Sequence, residues 1–136
     1  MNRQADRVRC ICHPGGVLVT VARLNRRALV RLLVDTGAAI TVVVPRAAIR
    51  LGLPLDKPHR TMIVGTAHTA RASPIPIFEL DSLQIGDVEA TDLEVGVGDF
   101  PSHLRIDGAL GVNFLARFRP TFEFDTAILV LRPLPG

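Results

Sequence analysis

The sequence predicts a mainly β domain: a closed, barrel-like or sandwich-like sheet of short strands with one or two short helices. Three observations carry this. Apolar and β-branched runs of strand length recur along the whole chain. They are punctuated by 11 Gly and 10 Pro in 136 residues, so turns come often. Only two segments carry helix boundary signals, and both are short.

Val17 to Leu24 alternates around Thr20 and Ala22, turns at Asn25-Arg26-Arg27 and returns as Ala28 to Val34, which reads as a hairpin. After Asp35-Thr36-Gly37 comes the apolar run Ile40 to Val44. Pro45 opens a helix over Arg46 to Leu51, and Gly52 is its natural stop. Pro54 and Pro58 mark a loop. Thr61 to Val64 and His68 to Ala72 read as a second hairpin with the small-residue tip Gly65-Thr66-Ala67. Pro74 and Pro76 suggest that the next strand lies at a sheet edge, because proline cannot donate to a ladder. Ile75 to Ile85 and Val88 to Val97 are two strands joined at Gly86-Asp87, followed by a loop from Gly98 to Leu104. Asp107-Gly108-Ala109-Leu110-Gly111 leads into a second helix, Val112 to Arg117, which Pro120 is expected to end. Phe122 to Phe124, a turn at Asp125-Thr126 and Ile128 to Leu131 form a closing hairpin. Leu33-Val34-Asp35-Thr36-Gly37 and Ala109-Leu110-Gly111 echo each other. Each is an apolar pair leading to a glycine and then a short helix, with an acid in the first copy only.

The length fits one domain, and 48% hydrophobic against 21% charged residues predicts a packed core rather than disorder. The net charge of +3 is uneven: residues 1–60 hold 11 basic and 3 acidic side chains, residues 61–136 hold 5 and 10. A basic half can mark a nucleic-acid surface. The arginines are scattered, however, with only Arg26-Arg27 adjacent and no interleaved aromatics, which argues against nucleic acid as a partner. Cys10 and Cys12 are too close for a disulfide framework and read as reduced thiols on one face of a half-buried strand. Cys10-x-Cys12-His13 offers three soft ligands but no second cluster to complete a zinc site, so no metal and no cofactor are expected. The N-terminus is polar and no apolar run approaches a membrane span, which predicts a cytoplasmic chain.

Asp35 is the informative residue. It stands at the end of the apolar strand Leu32-Leu33-Val34, on a turn made by Gly37, among Ala38, Ala39 and Ile40. A carboxylate in such surroundings is costly unless it is hydrogen-bonded or used, so it is either a cap of turn amides or a reacting group. Other chemistries fit less well. An aspartyl-phosphate site would want a lysine after the Asp or a second Asp two residues on. Ser73, Ser82 and Ser102 lack a nucleophile elbow. His13, His59, His68 and His103 are scattered.

Leu32-Leu33-Val34-Asp35-Thr36-Gly37-Ala38, the Gly65 hairpin, Asp107 to Leu115 and the Phe124 to Leu131 hairpin together resemble, in order, a retropepsin-type aspartic protease. The pattern is most similar to bacterial single-domain members. The resemblance spans nearly all of residues 17–132 and implies a retropepsin-like closed β-barrel, the half-domain of an acid protease, that acts as a homodimer. It implies a domain at 17–136 after an N-terminal segment, 1–16, that is flexible or dimer-contacting. It also implies catalysis by Asp35, loop support by Thr36, Gly37 and Ala38, flap contacts to substrate from Val64, Gly65, Thr66 and Ala67, and a second motif containing Gly111 and Asn113. Retroviral members carry acidic residues at the positions of Ala39 and Ile40, and Arg at that of Val112. The substrate subsites therefore differ here.

The chemistry agrees with a dimer. Peptide hydrolysis by this route needs two carboxylates around one water, one acting as base and the other, protonated, donating to the scissile carbonyl. Only one Asp-Thr-Gly is present, so a monomer has one acid where two are needed, and a symmetric homodimer brings Asp35 of each chain to the two-fold axis. Gly37 has no side chain to hold the partner loop away. The expected activity is that of an aspartic endopeptidase acting on polypeptides. The alternative is a catalytically weak or inactive dimerisation or peptide-binding module of the same fold, motivated by Ala39 and Val112.

Overall fold

A computed structural model describes residues 6–64 and 73–135. The elements in order are strands β1 (Asp6–Arg9), β2 (Ile11–Cys12), β3 (Leu18–Leu24), β4 (Ala28–Val34) and β5 (Thr41–Val43), helix α1 (Pro45–Leu51), strands β6 (Arg60–Val64), β7 (Ser73–Ile85) and β8 (Val88–Val97), a 3₁₀ turn (Ser102–Leu104), strand β9 (Gly108–Leu110), helix α2 (Val112–Leu115) and strands β10 (Phe118–Glu123) and β11 (Ile128–Pro133). One sheet runs β2-β3-β4-β9-β5-β8-β7-β6. A further pairing of β3 with β7 closes six of its strands into a barrel. The second sheet is β1-β11-β10. Val8, Leu129 and Leu131 from that sheet join Leu24, Leu32, Phe78, Leu80 and Phe114 in one core, so the two sheets share an interior.

Alternation decides which side chains enter that interior. Along β3, Ala22 and Leu24 are buried while Val21 and Arg23 face solvent. Helix α1 begins on Pro45, which loses nothing by lacking an N–H there. It ends on Gly52 in the left-handed region (φ 72), where the Gly52 and Leu53 N–H groups donate to Ile49 O and Ala48 O. Its Ala47, Ala48 and Leu51 pack inward.

The sequence echo has a physical counterpart. β4 and β9 lie side by side and parallel, pairing Leu33 with Ala109 and Val34 with Leu110. β5 then packs antiparallel on β9, with Val43 opposite Gly108. This crowding selects glycine: a Cβ on Gly108 would stand 1.9 Å from the Val42 carbonyl oxygen.

Several expectations need correction. Pro120 does not end the second helix. That helix stops at Leu115, and Pro120 lies within β10, which starts at Phe118 and pairs with β11 through Pro133. Proline is tolerated there because β10 is an edge strand. Pro74 and Pro76 stand at an edge only locally. They pair with β6, and the β8 ladder begins just beyond them at Ile77. Cys10 and Cys12 do not share a strand face, because the chain leaves β11 for β3 between them; Cys10 is half-buried and Cys12 exposed. Within the N-terminal segment, which the sequence left as flexible or dimer-contacting, Asp6–Arg9 pairs with β11 and Ile11–Cys12 with β3, which leaves a role in dimer contact open. The hairpin tip Gly65, Thr66, Ala67 and the arm to Ala72 lie outside the described residues. No helix among the described residues is long and apolar enough to cross a membrane.

Candidate active site

β4 delivers Asp35 to the rim of the barrel, half-buried rather than fully enclosed. Its own N–H donates to Leu110 O at 3.0 Å, which ties the carboxylate-bearing turn to the end of β9. The Gly37 N–H donates to Asp35 Oδ1 at 2.9 Å. A Cβ on Gly37 would stand 3.2 Å from that oxygen, so glycine keeps one side of the carboxylate open. The turn closes with the Ala38 N–H donating to Asp35 O at 3.2 Å. Thr36 and Gly37 are exposed and Ala38 half-buried, so the loop presents its tip outward.

The second motif braces this loop from behind. The Val112 N–H donates to Ala38 O at 2.7 Å and the Asn113 N–H to Ala39 O at 3.2 Å. Asn113 Oδ1 accepts from both the Thr41 N–H and the Thr41 hydroxyl, each at 2.9 Å, while its Nδ2 donates to Glu94 O at 2.8 Å. The Gly111 N–H donates to Thr41 Oγ1 at 3.1 Å. Four polar groups thus satisfy one another between the turn, β5, β8 and α2. Gly111 is needed there, since a Cβ would lie 2.5 Å from the Ile40 carbonyl carbon.

Thr41 is the residue that sequence reasoning passed over. It sits at the start of a run otherwise apolar to Val44, and that single hydroxyl was the available signal. Equally unforeseen is the company Asp35 keeps. A groove of about 620 Å³ beside it is lined by Gly15 to Leu18, Val34, Thr36, Phe122 and Phe124. Phe122 and Phe124 alternate along one face of the chain and stack with ring centroids 6.3 Å apart. Among the described residues, Asp35 is the single acid in that lining.

Asp107 is no second acid for this site. Its N–H and carboxylate hold the Arg31 backbone, donating to Arg31 O at 2.7 Å and accepting from the Arg31 N–H at 2.8 Å, and Arg46 and Arg50 approach its other oxygen. Four residues of strand separate Arg31 from Asp35, or roughly 13 Å. Val64, the last residue of β6, leads from the barrel toward the tip predicted to cover the site. Burial pushes the Cys10 thiol up, which disfavours the thiolate that a metal would need. Among the described residues no group of three or more His, Cys, Asp or Glu side chains could hold a metal ion.

The comparisons with known proteins agree with this geometry. The family described as Aspartyl protease matches residues 20–114, from β3 through the start of α2. The crystal structure of a retropepsin-like aspartic protease from Rickettsia conorii is similar over 96% of each chain, with a TM-score of 0.70 and 25% sequence identity. No curated protein is significantly similar in sequence.

Proposed function

The chain belongs to the aspartyl protease family, and from that premise we propose that it is an aspartic endopeptidase whose active site forms between two copies. The observation that carries this reading is a single carboxylate, Asp35, held by the Gly37 amide at the open rim of a retropepsin-like barrel, with no other acid among the described residues of its groove. Two such carboxylates meeting on a two-fold axis share one proton, because like charges at that distance do not both ionise readily. The ionised member takes a proton from the water that attacks the scissile carbon. The protonated member donates to the carbonyl oxygen as it becomes tetrahedral. Collapse of that intermediate transfers a proton to the leaving amine and returns the pair to its starting state.

Thr36 and Gly37, both exposed at the tip, are suited to face the second copy's loop. Val64, Gly65, Thr66 and Ala67 would close over a bound peptide and exclude water. Ala39 and Val112 are both exposed and apolar, so the subsites they border favour apolar over charged side chains. A binding module without catalysis is the rival reading, resting on those two residues.

The test is cleavage of a mixed peptide library between about pH 3 and 7, a window that brackets a shared-proton carboxylate pair. Wild type should cleave and Asp35→Asn should lose at least about 1,000-fold in rate, as removal of a reacting group does. Absence of cleavage by a verified wild-type dimer would favour the binding module.

A further inference from the structure

We propose that Arg46 and Arg50, gathered with Arg31 around Asp107, form an anion site that takes an Asp or Glu side chain of the polypeptide substrate about four residues from the cut. This rests on the reading of the chain as an endopeptidase and names the class of substrate it prefers: peptides with an acidic residue at that distance from the scissile bond.

The paired arginines of this molecule are of two kinds. Arg7, Arg26 and Arg60 each hold a glutamate of their own at 2.9, 2.8 and 2.7 Å, the length of a charge-assisted bond. Arg46 and Arg50 instead approach one oxygen of Asp107 together, at 3.5 and 3.7 Å. The other oxygen of Asp107 already accepts from the Arg31 N–H at 2.8 Å. One carboxylate thus stands among three arginines, and among the described residues it is the one acid within 4.0 Å of Arg46 or Arg50. It positions the two guanidinium groups without using them up. The Arg46 side chain is 76% exposed and that of Arg50 48%, so each keeps N–H donors turned to solvent. Helix α1 fixes their spacing. Four positions apart, they share one face with the exposed Ile49, while Ala47, Ala48 and Leu51 anchor the opposite face.

Charge and distance set the occupant. Guanidinium groups in surplus over the one carboxylate they share attract an anion, and the planar fork of arginine matches a carboxylate at two points. Arg31 lies four residues before Asp35, roughly 13 Å along the chain, and the period of two puts Arg31, Leu33 and Asp35 on the same side of it. An extended peptide covers that distance in about four residues. A polypeptide whose scissile bond lies at Asp35 therefore brings a side chain about four residues away into reach of the arginines. Leu29, exposed two residues before Arg31, and Ile49 offer apolar contact to the neighbours of that acid. Two chains on a two-fold axis supply one such site on each side of the cut.

Two measurements test this, both at about pH 6, where a peptide Glu is ionised. The probes are a labelled peptide with an apolar centre and Glu four positions out on each side, and the same peptide with Gln in place of Glu. In the first, fluorescence anisotropy reads their binding to Asp35→Asn protein, which leaves them uncut. The Glu peptide should bind roughly fivefold more tightly than the Gln peptide, the scale of two exposed charge pairs. Adding Arg46→Gln and Arg50→Gln should bring the two affinities together, and Arg46→Gln alone should remove part of the difference. Both side chains are exposed, so thermal unfolding of these variants should stay close to wild type. In the second, wild type should show the same preference in KM for cleavage, and the preference should fade as pH falls through about 4.3, where Glu protonates. If wild type cleaves peptides through Asp35 but treats the Glu and Gln peptides alike in both measurements, the anion site is wrong and the enzymatic reading stands. If nothing is cleaved while the Glu peptide is preferred through Arg46 and Arg50, the anion site is right and the catalytic reading fails. Binding of phosphatidylserine vesicles or RNA through the two arginines, without preference for the Glu peptide, would overturn the assignment to a polypeptide.

Discussion

The positions most tightly constrained around the carboxylate lie behind its loop rather than at its tip. Gly111 has no room for a methyl group, with the Ile40 backbone 2.5 Å from where a Cβ would stand. Gly111→Ala should therefore cost about 3 kcal/mol or more, since backbone rather than a flexible side chain must move, and urea unfolding measures it. Asn113 is constrained by polarity instead of space. Its amide accepts twice from Thr41 and donates to Glu94 O, so Asn113→Ala leaves three partners short and should destabilise by roughly 2 kcal/mol. Thr41→Val keeps the shape and loses only the hydroxyl, which bridges Asn113 and Gly111, so its cost should be smaller, about 1 kcal/mol. Both variants should lower peptide cleavage beyond their loss of folded protein, because the bonds they remove hold the loop that carries Asp35. Equal specific activity per folded molecule would refute that link. Asp35 and Gly37 were legible from sequence as a carboxylate on a glycine turn. Thr41 was not, because an isolated hydroxyl next to valines is read as a strand residue until its partner is known to be seventy-two positions away.

Elements bounded by local chemistry were legible, and those bounded by tertiary pairing were not. Pro45 and Gly52 fixed α1 because each acts on its own backbone. Pro120 misled for the converse reason: whether a proline ends an element or sits on a sheet edge depends on where β11 lies. The base of the predicted flap is likewise held by a distant partner. Arg60, the first residue of β6, forms a two-point pair with Glu94 of β8 at 2.7 Å, and the Glu94 carbonyl is the one that holds Asn113. The hydrogen bond from Arg60 holds the Glu94 carboxyl below its ordinary value, with the charges of Arg60 and His59 adding to it. A carboxyl so lowered contributes stability above its unfolded value, and that contribution is lost as pH falls through the folded value. The pair is exposed, so its effect is small. The melting temperature of Arg60→Gln should lie slightly below wild type near neutral pH, and the gap should close on the acid side as Glu94 protonates. A gap unchanged from neutral to strongly acidic pH would mean that the pair contributes nothing to the fold.

At the scale of the molecule, the fold obeys an arithmetic the sequence already contained: one motif with an acid and one without. The parallel pairing of β4 with β9 is the structural form of that echo. The sequence carried no sign that Phe122 and Phe124 would share a groove with Asp35, since eighty-seven residues separate Asp35 from Phe122 and only the closed sheet brings them together. Whether two copies make one site is decided directly by subunit mixing. Wild type and Asp35→Asn are mixed in equal amounts at a concentration where both dimerise, and the chains are allowed to exchange. If each active site needs an Asp35 from both chains, random reassortment leaves about a quarter of the dimers with two carboxylates, so activity relative to the same dimer concentration of pure wild type falls to about a quarter. If each chain works alone, activity falls only to about half. A large excess of Asp35→Asn should then extinguish turnover in the first case and leave it untouched in the second. Because the variant changes only the carboxylate, the two copies still dock, and the loss reports shared chemistry rather than lost assembly.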